Sequence, residues 1–286
     1  MPTLRPLVDA DLADLAHLAQ ACLQRDGGLP RFGTLEGVAA LLRRGPGVGV
    51  RDATGRLVAA AALDEPRAAA TGFVHPQSRG AGLGAALLDW CVAHAAGPLT
   101  LRIENVPPEG AALLEAAGFR RIFAEHVMRR TYAALSPGPA PSGVTCTAFN
   151  SASGPDFYAA YRGSFADRPG FPDPSAAEWL SDLNSDDFRP AASAVALADS
   201  VPVGFITASA QWIDQVGVVP AWRGRGLGRW LTAYAVAALQ AAGDDEVWLC
   251  VNVDNPAHAL YRRLGFDDQG LRARFRRPDS SGTMGP

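Results

Sequence analysis

The sequence predicts a mixed α/β (α+β) fold, laid out as two tandem copies of one layered domain. Three observations carry this. The 286 residues suffice for two domains of ordinary size. Segments 74–84 (VHPQSRGAGLG) and 218–228 (VVPAWRGRGLG) repeat at an offset of 144. The pairs Ala117-Gly118-Phe119/Leu264-Gly265-Phe266 and Met128-Arg129-Arg130/Phe275-Arg276-Arg277 then repeat in the same order at 147. A period this long is a domain, not a solenoid unit. Between the halves, residues 134–143 are rich in Pro, Gly and Ser and read as a linker. The expected domains are therefore 1–133 and 144–278, with a tail at 279–286.

The elements of each half follow in the same order. A short strand (3–8; 144–149) leads to a helix (11–24; 156–164), with Asp9 and Ser153 as the expected caps. Strands come next at 47–51, 57–63 and 69–74, and at 194–198, 203–209 and 213–218. A glycine loop then opens a helix (82–95; 226–241). A strand (99–103; 246–251), a short helix (109–116; 256–264) and a last strand complete the unit.

Composition narrows the chemistry. A hydrophobic content of 48% with 19% charge suits a globular protein with real cores. The 26 cationic residues are all Arg, so lysine-based mechanisms are excluded, whether Walker, Schiff-base or general-base. The net charge of −3 sets up no strong field for nucleic acid. Cys22, Cys91, Cys146 and Cys250 form no CxxC pair or metal-ligand cluster, so free thiols and no metal are expected. The start has no signal-like segment and no run of 18 apolar residues follows, which reads as a cytoplasmic protein without membrane spans.

The glycine loops suggest a pyrophosphate cradle. In the second copy Val216 and Val218 end a strand, Pro220 stops it, and a helix follows. Gly224, Gly226 and Gly228 lack Cβ atoms, so backbone N–H groups can approach an anion at a helix N-terminus. Arg223 and Arg225 offer fork-shaped donors for phosphate oxygens. The first copy keeps Arg79, Gly80, Gly82 and Gly84. The spacing fits neither a Walker loop nor a dinucleotide fingerprint.

Arg79-Gly80-Ala81-Gly82-Leu83-Gly84 and Arg223-Gly224-Arg225-Gly226-Leu227-Gly228 resemble the (Arg/Gln)-x-x-Gly-x-(Gly/Ala) loop of the GNAT N-acetyltransferases. The Val-x-Pro just upstream, Tyr261-x-x-x-Gly265-Phe266 and the opening Leu4-Arg5-Pro6…Asp11 match the same family. The resemblance covers nearly the whole chain as two units, similar to the tandem two-domain members. It implies a mixed, mostly antiparallel sheet flanked by helices in each domain. It also implies acetyl-CoA as co-substrate, held with its pyrophosphate on the loop, and direct transfer to an amine without a metal.

Residue by residue, the resemblance makes Tyr261 the general acid toward the CoA sulfur; its plainer reading is a core aromatic on an amphipathic helix. The backbone N–H of Val218 polarises the thioester carbonyl; Val74 holds the same place in the first copy. Asp214, four residues before Val218, is the candidate base; its plainer reading is a solvated strand-end carboxylate. Gln215 and Trp212 are alternative pocket-lining residues. The family often carries Asn seven residues before the Tyr; here Asp254 fills that slot and Asn255 follows, and either could bond the pantetheine arm. His258 could touch cofactor phosphate or simply stand exposed, and His75 reads as exposed. The acceptor pocket is expected within 158–187, from Tyr161, Phe165, Arg168, Phe171 and Trp179, with plain core packing as the alternative for the aromatics.

Applied to the first copy, the offsets put Ala70 at the position of Asp214 and Leu114 at that of Tyr261. That copy is expected to hold CoA at most. Three functions remain open: a small-molecule N-acetyltransferase working in the C-terminal domain, a protein or peptide N-acetyltransferase, and a non-enzymatic CoA-binding sensor. Tyr261 with Asp214 favours an enzyme.

Overall fold

The structure, a computed structural model, describes residues 2–131, 134–168 and 171–277. The expected tail at 279–286, and residues 132–133 and 278 at the expected domain edges, lie outside the described residues. In the first half the elements are β1 (Arg5–Pro6), α1 (Leu12–Asp26), α2 (Leu35–Leu42), β2 (Gly47–Arg51), β3 (Leu57–Asp64), β4 (Ala69–Val74), α3 (Leu83–His94), β5 (Thr100–Ile103), α4 (Pro108–Ala116) and β6 (Arg120–Thr131). The second half has β7 (Thr145–Ala148), α5 (Gly154–Phe165), α6 (Ala176–Ser181), β8 (Ala194–Ala198), β9 (Val201–Ser209), β10 (Trp212–Val218), α7 (Leu227–Ala241), β11 (Glu246–Asn252), α8 (Ala257–Arg263) and β12 (Asp267–Arg276).

The described residues form two compact units, one of 2–127 with 269–277 and one within 128–268. They differ from the division expected at 134–143. From Gln269 onward β12 belongs to the first unit, and from Met128 onward β6 belongs to the second. In the first unit β1 to β4 are antiparallel neighbours in sequence order. Strand β5 then joins β4 in parallel, and β12 closes against β5 antiparallel, with Arg274 opposite Arg102. The second unit repeats the pattern with β7 to β10 antiparallel and β11 parallel to β10.

Sequence explains the layers. In α1 the residues Leu15, Leu18, Ala19 and Cys22 recur at helical spacing and are all buried, forming a core with Val38, Leu57, Ala60 and Phe73. Strand β3 is buried almost end to end, so its Leu-Val-Ala-Ala-Ala-Ala-Leu run lacks polar alternation, as befits a strand covered on both faces. In the second unit α7 buries Leu227, Leu231, Ala235 and Leu239 into one core, while Phe157, Tyr161, Trp179 and Phe205 build another.

The caps differ from expectation. Helix α1 starts at Leu12, so Asp11 rather than Asp9 stands at its N-cap. The Asp11 carboxylate accepts from Val8 N at 2.9 Å and from Arg51 at 2.5 Å. Ser153 does precede α5, but its hydroxyl donates to Asn150 O and caps nothing. The expected linker has no regular secondary structure, yet it is tied down: Leu135 N donates to Gln240 and Trp230 Nε1 donates to Gly138 O at 3.1 Å.

Candidate active site

Each unit opens between its parallel strands. Strands β10 and β11 share one register position, Trp212 opposite Trp248. Toward Val218 no further pairing between them is formed among the described residues, so the strands splay. Val219 N donates to Val203 O at 3.0 Å, which makes 219/203 a hydrogen-bonded pair. By antiparallel alternation 218/204 is a non-hydrogen-bonded pair, so the Val218 N–H turns away from β9 into the splay. In the first unit β4 and β5 pair only at Ala69 and Ala70. His75 N donates to Val58 O at 2.8 Å, and the same alternation turns the Val74 N–H into the gap.

The glycine loop lies at the open end of each splay. Gly82 and Gly226 are the residues before α3 and α7, with φ of 77° and 84°. Only glycine adopts that region without strain, and the turn aims the first helical N–H groups outward. A Cβ at Gly80, Gly82, Gly224 or Gly226 would meet no atom within 4 Å, so the face of each cradle is open. Leu227 is buried in the core beneath the loop, while Ala81 is exposed. Gly84 and Gly228 open the first turns of α3 and α7.

The two loop arginines have protein partners. The Arg223 guanidinium, still half exposed, donates to Val218 O (3.1 Å), Ser164 O (2.9 Å) and Asp167 (3.1 Å). Arg79 likewise donates to Val74 O, Asp26 and Glu109. Both side chains brace the loop against the preceding strand and the end of the first helix. Arg225 stacks over Trp222 at 4.8 Å and keeps its charge at the loop surface.

Tyr261 is 8% exposed, on α8, packed edge-to-face on Phe266. Its main-chain carbonyl accepts from Phe266 N at 3.0 Å. Leu114 accepts from Phe119 N at 2.9 Å in the same way, so the two residues are structural counterparts, as the offset requires. Burial pushes the Tyr261 phenol up to about 12, opposed by the Arg168 charge. Arg168 itself is exposed and stacks on Phe165 at 4.0 Å.

Asp214 sits in a β-bulge. Ile213 pairs with Ala208 and Gln215 with Thr207, leaving Asp214 as the extra residue. Strand β4 runs through its register with β3 without such a bulge, so Ala70 matches Asp214 by count and Ile213 by pairing. Bulges re-aim side chains beside active sites. The Asp214 carboxylate accepts from Ser209 Oγ at 2.7 and 2.8 Å. Crowding by surrounding protein raises its pKa, and the Ser209 bond pulls the other way. Ser209 escaped the sequence reading; a tight β9–β10 hairpin would have placed it near Asp214.

The aromatic set expected for the acceptor does come together, as packed core. Tyr161 and Trp179 are buried and stack at 4.9 Å, with Phe165, Phe171 and Phe205 around them. Gln215 reaches into this set, accepting from Trp179 Nε1 at 3.3 Å, and Trp212 stacks on Trp248. Residues 169–170 of that segment lie outside the described residues. Asn255 uses its side-chain oxygen to accept from Ala257 N at the start of α8, and its NH2 group stays available to a ligand; Asp254 is exposed. His258 is 2.8 Å from Asp268, and His75 Nδ1 accepts from Gln77 N.

The comparisons agree with this geometry. The acetyltransferase (GNAT) family model matches residues 155–266. A mycothiol acetyltransferase of Salinispora arenicola is 33% identical over 93% of both chains, and one of Thermomonospora curvata is 31% identical over 95% of both. The crystal structure of a GCN5-related N-acetyltransferase from Sphaerobacter thermophilus superposes with a TM-score of 0.76, at 26% identity over 96% of both chains. A tandem GNAT protein of the clavulanic acid biosynthesis pathway shares the fold, with a TM-score of 0.60 at 17% identity, covering 98% of this chain and 100% of that one. No described helix is long and apolar enough to cross a membrane. Splayed parallel strands, a glycine loop opening a helix in each unit, and relatives aligned over nearly the full length lead to one conclusion: the chain belongs to the GNAT family of acetyltransferases.

Proposed function

We propose that the chain moves an acetyl group from acetyl-CoA to an amine of a small molecule by direct attack, at the splay between β10 and β11. The observation that carries this is an asymmetry. The second unit has a carboxylate in a strand bulge and a buried phenol on α8, where the first has an unbulged strand and Leu114. In this reading backbone N–H groups at 224–228 hold the pyrophosphate and the Val218 N–H polarises the thioester carbonyl. Asp214 takes a proton from the acceptor ammonium, directly or through water. The amine attacks, the C–S bond breaks, and Tyr261 donates to the leaving sulfur. A phenol with its pKa near 12 is still protonated at neutral pH, so the donor is always in place.

Relatives aligned over more than nine-tenths of the chain are named mycothiol acetyltransferase, and that supports a mycothiol-type acceptor bearing a free amine. The test is release of free CoA thiol from acetyl-CoA against a panel of amines, with this acceptor, unrelated small amines and peptide N-termini as its arms. Acceptor-dependent release with the mycothiol-type amine is the expected result. Release with peptides alone would replace the acceptor class, and no release with any amine would remove the enzymatic reading.

A further inference from the structure

The first unit contains a cavity of about 340 Å³ in the splay between β4 and β5. Its mouth is the glycine loop, with Gly80, Gly82 and Gly84 in the wall. Its depth is apolar, formed by Phe73, Leu87, Leu88, Leu101 and Leu114. Asn105 in the wall is 4% exposed, and neither its side-chain amide nor the nearby Thr71 hydroxyl makes a hydrogen bond among the described residues. A ligand amide or carbonyl entering the cavity would pair with the Asn105 amide.

Two positions give this cavity its character. Leu114 stands where the second unit has Tyr261, as the matching hydrogen bonds from Phe119 N and Phe266 N establish. Gly72, two residues before the end of β4, stands where β10 has Val216. Each change removes bulk, and the first also removes a hydroxyl. The gap is thus wider and less polar than its counterpart, in the region where the acyl end of a bound thioester would lie. An acetyl group would leave much of that surface without contacts.

We propose that the first unit is a binding site for CoA thioesters whose acyl chain is longer than acetyl. The proposal rests on the reading that the glycine loops hold CoA. With no proton donor at Leu114 the thioester is held intact, so the site binds and does not turn over.

Calorimetry on the full chain tests it, with Gly226→Val closing the second cradle and CoA, acetyl-CoA, butyryl-CoA and hexanoyl-CoA as probes. Each methylene buried tightens binding by about fourfold, so hexanoyl-CoA is expected to bind at least tenfold more tightly than acetyl-CoA. Leu114→Tyr in the same background is expected to abolish that preference while CoA still binds. Equal affinity for acetyl- and hexanoyl-CoA overturns the inference and leaves the loop reading intact. Binding of none of the four probes overturns both. Gly226 has a φ of 84°, so valine there is strained. Should that variant not fold, Leu114→Tyr in the otherwise native chain, at a helical position with no such strain, serves instead. It is expected to remove the hexanoyl-selective site and to spare an acetyl-CoA site; retention of hexanoyl selectivity overturns the inference.

Discussion

At the scale of single residues, Tyr261 and Asp214 share one strategy: each is a titratable group shifted toward its neutral form by its surroundings. For Tyr261→Phe the ring and its contact with Phe266 stay, and only the donor goes. Turnover is expected to fall about 10²- to 10⁴-fold, with little change in acetyl-CoA affinity, as measured by stopped assays and calorimetry. Unchanged turnover under conditions where chemistry limits the rate would take Tyr261 out of the mechanism. Ser209 offers a cleaner test of Asp214 than mutation of the carboxylate itself. Its hydroxyl bonds the charged form and so lowers the Asp214 pKa. Ser209→Ala removes that stabilisation, the pKa rises further, and the acidic limb of the pH–rate profile is expected to move to higher pH. A limb that stays in place would mean another group deprotonates the acceptor.

At the scale of elements, the two glycine loops are a matched pair, which makes their comparison informative. Gly82 and Gly226 have nearly the same φ, 77° and 84°, and open space where a Cβ would go. Valine strains both equally, so a difference between the variants reports the site and not the turn. Acetyl transfer is expected to survive largely in Gly82→Val and to fall about 10- to 100-fold in Gly226→Val, the scale of one or two lost charge-assisted hydrogen bonds. The reverse would mean that the working half has been assigned wrongly. Most elements were legible because Gly and Pro punctuate apolar runs of distinct period; β2, β4 and β8 fall at their expected bounds. The second helices α2 and α6 received no bounds, being only 8 and 6 residues long and next to Pro- and Gly-bearing loops. The bulge at Asp214 left no trace, because one inserted residue keeps the spacing of the surrounding motif plausible. The partners of Arg223 left no trace for a related reason: its fork fits a phosphate as well as a carbonyl and a carboxylate, and spacing does not choose between them.

At the scale of the whole molecule, the sequence hid which final strand belongs to which unit. Met128-Arg129-Arg130 and Phe275-Arg276-Arg277 follow one pattern, so either strand would offer similar local contacts, and only the fold distinguishes them. The consequence for stability is direct. Phe275 is 1% exposed and faces Leu101 across the β12–β5 pair. Removing one such aromatic costs about 3–5 kcal/mol, a large part of the roughly 5–15 kcal/mol that holds a domain together. A fragment of residues 1–133 is therefore expected to lack the cooperative melting transition of the intact chain. A fragment that melts as cooperatively, and at the same temperature, would show that β12 is dispensable. The exchange also sets an order of events in the cell. Arg276 donates to Thr100 Oγ across 176 positions of sequence. Between Val127 and Gln269 the ribosome adds the 141 intervening residues, which at about 5–20 residues per second takes roughly 7–28 s. Over that interval the portion translated first waits with the edge of β5 bare, while the portion translated later has every strand it needs. The half that is made first is thus the half that is finished last.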